Sequence, residues 1–490
     1  MVYKRLGYIF FSTGTALFFL SILIDYIGIG KHGIQSAQLL GILLGLVIGL
    51  TGMGFIFSPN QSKINISFSL RTALHRVLNL PPFTWVLIGF LFIFLIWFIF
   101  PMFFNDLHRM KYFLRYIPDK VPLGSDFKYS TDVIRLWFSG GNMYDQEIHF
   151  YPPLYAVVFA PILLLSYPSS YFFISSITLI CFALPFLLFR STAKRNYSYF
   201  SFFLLTGLIS YGTQFELERG QFNIIAVTLC FLSIYLFHRH YSFRYLAYFL
   251  FSISAQIKLY PAIFIFLFIK DWRDWKGNLL RFAGLGVFNI ALLFVLGYDT
   301  FLEFIKKLRF FLGDIYLFPG NHSLKAYTYN LTHYGFGLFS ASTQNWLTEH
   351  ASLIQSAFYL WVFICFCIIL VNAYRRNHSG INFNLILACT TIAMLLPSIS
   401  LEYKLSLLAA PLAFFLSTMP PIEGTKWKIP SILSILLLSV SYSATLIPYI
   451  YRPEYLQSSM PFILTILTAL AILDSIPTKE TQLLSGQSLQ

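Results

Sequence analysis

The chain has 490 residues, of which 57% are hydrophobic, 19% aromatic and only 11% charged. A soluble domain carries roughly a quarter charged residues, so this composition excludes an ordinary soluble enzyme and predicts a polytopic helical membrane protein. The formal net charge of +14 would suggest a nucleic-acid partner in a soluble protein, but here we attribute it to topology-setting loops that meet anionic lipid, and expect no nucleic acid.

Apolar runs of about 17 to 25 residues, the length that crosses a bilayer, recur along the chain. They predict an all-α fold with about 12 transmembrane helices, at 6–28, 39–57, 84–104, 171–190, 199–213, 221–237, 280–297, 353–373, 382–398, 405–419, 430–448 and 459–475. We divide the chain into an N-terminal two-helix extension (1–80), a transmembrane core (81–420) and C-terminal helices with a short tail (421–490).

Two apolar segments do not fit a simple crossing. Residues 151–167 open with Tyr-Pro-Pro and close at Pro168, which predicts a short dip into the membrane behind a rigid turn. Residues 245–270 are interrupted by "KLYP" and are predicted to form two half-helices, a shape tolerated at membrane depth only where it is buried or lines a cavity.

The short basic loops set the orientation, because Lys and Arg accumulate on the cytoplasmic side. If both irregular segments return to the side they left, the two large hydrophilic loops, 105–150 and 298–351, lie on the extracytoplasmic side. The basic segment "DLHRMKYFLRY" also falls outside in this arrangement, and we interpret it as an amphipathic surface helix.

The remaining unusual polar residues all map to this outer face. Polar groups near lipid are costly, so their convergence indicates a site at the outer interface, whereas a transporter would hold them near the midplane. The residues are Asp126, Asp132, Glu216, Glu218, Arg219, Gln221, Asn223, Lys258, Asn321, His322, Ser323, Glu402 and Lys404.

Five motifs, taken in order, resemble glycosyltransferase family 87, polytopic enzymes of the GT-C fold. They are "DFKYSTDVIRLWFSGGNMYD…YPPLYAVVFAP", "GQFN", "AQIKLYP", "NHSL" and "PSISLEYK", spread over roughly residues 84–419. Two features depart from the family pattern. Two extra spans precede the aspartate loop, which suggests an added N-terminal module, and Glu402-Tyr403-Lys404 follows "SIS" where relatives often have histidine.

The resemblance implies transfer of a hexose, with mannose the expected sugar, from a polyprenyl-phosphate-sugar donor to a glycolipid or glycan acceptor. The expected location is a bacterial inner (cell) membrane, with the active site facing outward and inversion at the anomeric carbon. The family's general base is a first-loop aspartate, which matches Asp126. The alternative is that Asp126 caps the helix that follows it, while Asp132 is expected to face solvent or pair with Arg135.

A departing lipid phosphate calls for fixed cations, and Lys258 is the leading candidate because a lysine between apolar half-helices needs a partner anion. Its alternative is a salt bridge to Glu216 or Glu218. Arg219 would suit bidentate phosphate contact better than lysine, but it has these same two acids as near neighbours.

The other candidates for donor or substrate binding each carry a structural alternative. His322, with Asn321 beside it, could donate to phosphate or order its loop. Lys404 could bind the donor or extend to the interface. Gln221 and Asn223 could bond sugar hydroxyls or cap the span they open.

No metal or other cofactor is expected, because "SDFKY" lacks the Asp-x-Asp pair with which some GT-C relatives hold a divalent cation. A nucleotide-sugar donor is not expected either, since no glycine-rich phosphate loop is present. Two other classes stay open: a transporter or flippase of lipid-linked sugars, and a lipid-handling scaffold with a degenerate site.

Overall fold

The computed structural model describes residues 11–16, 123–146, 149–190, 197–208, 210–313, 320–335, 339–377, 380–418 and 454–473. The predicted spans 39–57, 84–104 and 430–448, most of 6–28, and the surface helix predicted at 106–116 lie outside these residues. The chain forms two compact units, one of residues 1–115 with 166–172 and the other of residues 116–165 with 173–490. All the candidate site residues belong to the second unit.

Helices account for most of the described residues, which contain no β-strand, and this confirms the all-α prediction. The α-helices of these residues, numbered from Ser125 onward, are α1 Ser125–Phe138, α2 Leu154–Phe159, α3 Tyr167–Leu188, α4 Tyr197–Leu208, α5 Tyr211–Arg219, α6 Asn223–Arg239, α7 Arg244–Ile257, α8 Trp275–Leu292, α9 Tyr298–Gly313, α10 Leu324–Tyr329, α11 Ala341–Glu349, α12 Ala351–Arg375, α13 Phe383–Leu395, α14 Ala409–Thr418 and α15 Glu454–Leu473.

Two stretches of the described residues are long and apolar enough to cross a membrane, Ser169–Leu188 within α3 and Ala351–Arg375, which is α12. The pair Phe203–Arg219 and Asn223–Arg239, bent by 108° at its break, counts as a third if it forms one span. These segments are consistent with a membrane protein, whereas the predicted total of twelve spans is not confirmed.

The second irregular segment has the predicted helix break, whereas the dip into the membrane predicted for residues 151–167 stays a prediction. Residues 154–164 form α2 and a short 3-10 helix, and the second segment breaks into α7 and the 3-10 helix Tyr260–Leu267. The predicted span 199–213 contains a helix break, because α4 ends at Leu208 and α5 begins at Tyr211. A new helix begins there because the Ser210 hydroxyl accepts a hydrogen bond from the Thr213 N–H at 3.4 Å and caps α5.

Helix α1 is amphipathic and packs its apolar face inward. Its buried positions recur every three or four residues, from Phe127 to Ile134, and therefore line one face. The opposite face carries Asp132, which is half-exposed and pairs with Arg135 at 3.1 Å, as predicted.

An aromatic cluster joins α1 and α2 to the break between α5 and α6. The ring of Phe222, from "GQFN", lies 4.2 Å from that of Phe159, 5.6 Å from Tyr155 and 6.1 Å from Phe127, between centroids. Packing of this kind buries large apolar surfaces in a defined geometry. It fixes the position of the loop that follows α5.

The end of α5 is a Schellman turn that lies against the start of α1. Gly220 has φ of 66°, its N–H donates to Leu217 O at 3.0 Å, and the Gln221 N–H donates to Glu216 O at 3.0 Å. The Gly124 N–H donates to Glu218 O at 2.6 Å and ties the two helix ends together. A Cβ on Gly220 would stand 2.6 Å from Phe127 Cβ, so only glycine allows this approach.

Candidate active site

Asp126 lies in the first turn of α1, where its carboxylate remains partly open to solvent. The helix begins one residue earlier, at Ser125, with Gly124 at the N-cap and no side-chain capping bond. The predicted alternative, that Asp126 caps this helix, is therefore wrong. The side chain is 31% exposed, which leaves one side of the carboxylate accessible to a substrate.

Two residues from the α5 turn hold this carboxylate. Arg219 Nη1 lies 3.4 Å from Asp126 Oδ1 and donates to Ser125 Oγ at 3.1 Å, while its side chain is 29% exposed. Gln221 Nε2 donates to Asp126 Oδ2 at 2.6 Å. The aspartate of the first loop thus meets the "ERGQ" turn, although more than ninety residues separate them in sequence.

Lys258, at the break after α7, lies behind Gln221. Its Nζ donates to Gln221 Oε1 at 3.0 Å and to the Tyr151 hydroxyl at 2.9 Å, and it stands 4.2 Å from the centroid of the Tyr151 ring. These two hydrogen-bond partners are neutral groups, and the negative charge of Glu216, one of the two acids considered as an alternative partner, also acts on the ammonium. The sequence analysis gave Tyr151 only a place in the Tyr-Pro-Pro turn and missed its contact with Lys258.

A second buried network lies beside the first and is built on Glu216. Its carboxylate accepts the Ile224 N–H at 2.8 Å and Asn223 Nδ2 at 3.1 Å, and so satisfies the start of α6. Asn223 Oδ1 in turn accepts from the Tyr260 hydroxyl at 3.0 Å. Both ends of the Asn223 amide are therefore bonded within the protein.

The "NHSL" and "PSIS" motifs are brought together by Asn321. Its Nδ2 donates to Ser398 O at 2.9 Å, and its Oδ1 accepts the Ser400 N–H at 2.9 Å. The backbone N–H of His322 also donates to Ser400 O, at 2.7 Å, and both residues are buried. The amide of Asn321 is thus used to join two loops.

Lys404 points into the protein. It is buried, its Nζ donates to Ile399 O at 3.1 Å, and it lies 4.9 Å from the centroid of the Tyr260 ring. The predicted alternative of a lysine extended to the membrane interface is therefore wrong. The cation instead faces Tyr260, whose hydroxyl joins the network of Glu216.

His149 is a buried residue that the sequence analysis did not select. Its ring packs among tyrosines, with centroids 5.5 Å from Tyr144, 5.4 Å from Tyr151 and 6.0 Å from Tyr155. Among the described residues, neither ring nitrogen has a hydrogen-bond partner. Burial, reinforced by the positive charges of Lys258 and Lys307, lowers the pKa of His149 to about 3.

We expect His149→Phe to remove part of the loss of stability that the wild type shows as the pH falls. A histidine with a lowered pKa is neutral when folded and takes up a proton only on unfolding, so wild-type stability falls as the pH drops below about 6.5. Between pH 6.5 and 5 this loss is about 2 kcal/mol, and the phenylalanine variant should not show it. At pH 7.5 the variant should melt at the wild-type temperature or above, because an unsatisfied polar group has been removed.

Thermal unfolding in detergent at several pH values measures this difference. His240→Gln is the matched control, because His240 is exposed at the end of α6. A His149→Phe protein whose melting temperature falls with pH as steeply as that of the wild type would contradict the expectation.

Comparison with known families matches a large part of this chain. The family model for glycosyltransferase family 87 matches residues 149–398, just over half of the chain. Arg219, Gln221, Lys258 and His322 lie within that range, whereas Asp126 precedes it. Comparison with curated proteins found no significant match. Within the described residues no group of three or more His, Cys, Asp or Glu side chains could hold a metal ion.

Proposed function

The chain belongs to glycosyltransferase family 87, and from this premise we propose that it transfers a hexose from a polyprenyl-phosphate-sugar donor to a glycolipid or glycan acceptor. The observation that carries the proposal is the Asp126 carboxylate, partly exposed and held between Arg219 and Gln221. The fold we propose is the GT-C fold, in a bacterial inner membrane, with Asp126 on the outer side.

Asp126 is proposed to act as the general base. The acceptor oxygen forms a bond to the anomeric carbon while its proton passes to the carboxylate. The bond between that carbon and the phosphate oxygen breaks, and its electron pair leaves with the polyprenyl phosphate. Attack from the face opposite the leaving group inverts the anomeric configuration. No step of this scheme uses a metal ion.

Arg219 is the cation that we place against the donor phosphate. It lies beside Asp126 with part of its guanidinium exposed, so it can meet a ligand and the base at once. A planar guanidinium suits the oxygens of a phosphate, and a fixed cation there stabilises the negative charge that grows as the bond breaks. Lys404 and His322 are further candidates: Lys404 donates to Ile399 O at 3.1 Å, and the His322 backbone N–H donates to Ser400 O at 2.7 Å, both within "PSISLEYK".

A donor screen tests this function. Purified protein receives short-chain polyprenyl phosphates of mannose, glucose and galactose, or the corresponding nucleotide sugars, together with lipid extract as a source of acceptor. We expect release of free polyprenyl phosphate from the prenyl donors, with mannose the best sugar. A flippase would instead move an intact donor across proteoliposomes, and no release from any prenyl donor would remove the proposal.

A further inference from the structure

Gln221 joins Asp126 to Lys258, and both of its amide groups are committed. Nε2 donates to Asp126 Oδ2 at 2.6 Å, and Oε1 accepts from Lys258 Nζ at 3.0 Å. We propose that Gln221 is a positioning residue through which Lys258 orients the Asp126 carboxylate. This inference rests on the proposed function, in which Asp126 is the base, and it assigns Lys258 a role other than contact with the donor phosphate.

The two ends of the amide allow one orientation only. An ionised carboxylate accepts hydrogen bonds and an ammonium group donates them. If the amide turned over, its oxygen would face Asp126 and its NH₂ group would face Lys258, so both contacts would become repulsive. Lys258 therefore selects the orientation in which Gln221 donates to Asp126.

Lys258 is held in place for this role and has little capacity left for a ligand. Its side chain is buried, and the Tyr151 hydroxyl accepts a second of its three N–H groups at 2.9 Å. The face of the Tyr151 ring lies against the same ammonium, with 4.2 Å between Nζ and the centroid. Only the third N–H of this ammonium is left for any other partner, the donor phosphate included.

The arrangement also distinguishes the two oxygens of Asp126. Oδ2 receives the short bond from Gln221, whereas the contacts to Oδ1 are longer, 3.4 Å from Arg219 and 3.3 Å from Ser125. Short hydrogen bonds from a donor reduce the basicity of the oxygen that accepts them. Because its contacts are the longer ones, Oδ1 is the oxygen that we assign to receive the proton from the acceptor.

A double-mutant cycle tests this coupling, with Gln221→Met and Lys258→Met as the single changes because methionine keeps the length of both side chains. We expect each single variant to lose roughly 10- to 100-fold in kcat, the scale of a misaligned catalytic group, with the donor KM within about threefold of wild type. The double variant should be no slower than either single variant, because Lys258 acts only through Gln221 and Gln221 orients Asp126 only while Lys258 fixes its amide.

If Gln221→Met fails to fold because it leaves Lys258 buried without its partner, Lys258→Met and the double variant can still be compared directly. Gln256→Met is the matched control: Gln256 is also buried, two residues before Lys258, and bonds to Asn289 O at 3.1 Å. It should lose less than about threefold in kcat.

Two results would overturn the inference. One is a double variant whose loss is the product of the single losses. The other is a Lys258→Met protein whose donor KM rises more than about tenfold at unchanged kcat, which would mean direct donor binding. Asp126→Asn, measured in the same series, separates the two proposals. If it is inactive while the single losses multiply, the coupling alone fails; if it turns over normally, the proposed base itself fails.

Discussion

Asp126→Asn is expected to lower kcat by about a thousandfold, within the 100- to 10,000-fold that a positioned general base contributes. The amide keeps the shape of the side chain but cannot take the acceptor's proton. Binding of the donor should change by less than about twofold, because the variant keeps Arg219 and Gln221 in place. Steady-state kinetics and donor titration on the purified protein measure both quantities.

Asp132→Asn is the matched control for this change. It removes a carboxylate from the same helix, but that carboxylate is half-exposed and pairs only with Lys128 at 3.8 Å and Arg135 at 3.1 Å among the described residues. Exposed pairs of this kind contribute about 0–1 kcal/mol, so turnover should be that of the wild type within about twofold. Equal losses in the two variants would mean that charge on α1, and not a base at position 126, governs the rate.

Gly220→Ala is the second change with a large expected effect, and it acts through the backbone. Alanine at φ of 66° costs about 1–2 kcal/mol, and its Cβ would also meet Phe127 Cβ at 2.6 Å, so α1 must move away from α5. We expect a total loss of about 3 kcal/mol in unfolding free energy. Transfer should fall at least tenfold, since the Asp126–Gln221 contact spans the same junction.

Gly140→Ala separates the backbone cost of a positive φ from the steric clash with Phe127. Gly140 also has a positive φ, of 88°, but a Cβ there would meet nothing within 4 Å. It should therefore show the backbone cost alone, with normal transfer. Melting temperatures and initial rates for both variants decide the point, and a Gly220→Ala protein as stable and active as Gly140→Ala would show that the α1–α5 junction tolerates displacement.

The features that could be predicted from sequence are those set by local chemistry. "KLYP" indicated a helix break, and the structure ends α7 at Ile257, with Pro261 near the start of the 3-10 helix that follows. Asp132 and Arg135 are three positions apart on one helix and pair as expected. Each of these depends on residues that lie within one or two turns of each other.

The features that could not be predicted depend on which polar atoms already have partners. Asn321 and Asn223 were candidates for substrate binding, yet both amides are bonded within the protein. Lys404 was considered as a lysine that extends to the membrane interface, yet its ammonium lies against the ring of Tyr260 inside the protein. Composition and turn chemistry identify such residues as costly to bury, but only their packing shows what compensates the cost.

The contact between Asp126 and Gln221 is another feature that could not be predicted from sequence. It depends on a Schellman turn at Gly220, on the Gly124–Glu218 backbone bond, and on the packing of Phe222 against α1 and α2. None of these is visible within "GQFN" alone. Once the fold is known, each residue type of the motif has a physical explanation. Its glycine, glutamine, phenylalanine and asparagine each hold a separate part of the site.

The most direct measurement is a single-turnover reaction of the protein loaded with a polyprenyl-phosphate hexose and mixed with an acceptor. Mass spectrometry follows the acceptor and the released polyprenyl phosphate together. We predict that wild type forms one new glycosidic bond for each polyprenyl phosphate released, and that donor-loaded Asp126→Asn forms almost none. Equal product from the two proteins, or a donor that wild type only carries across the bilayer intact, would contradict the account.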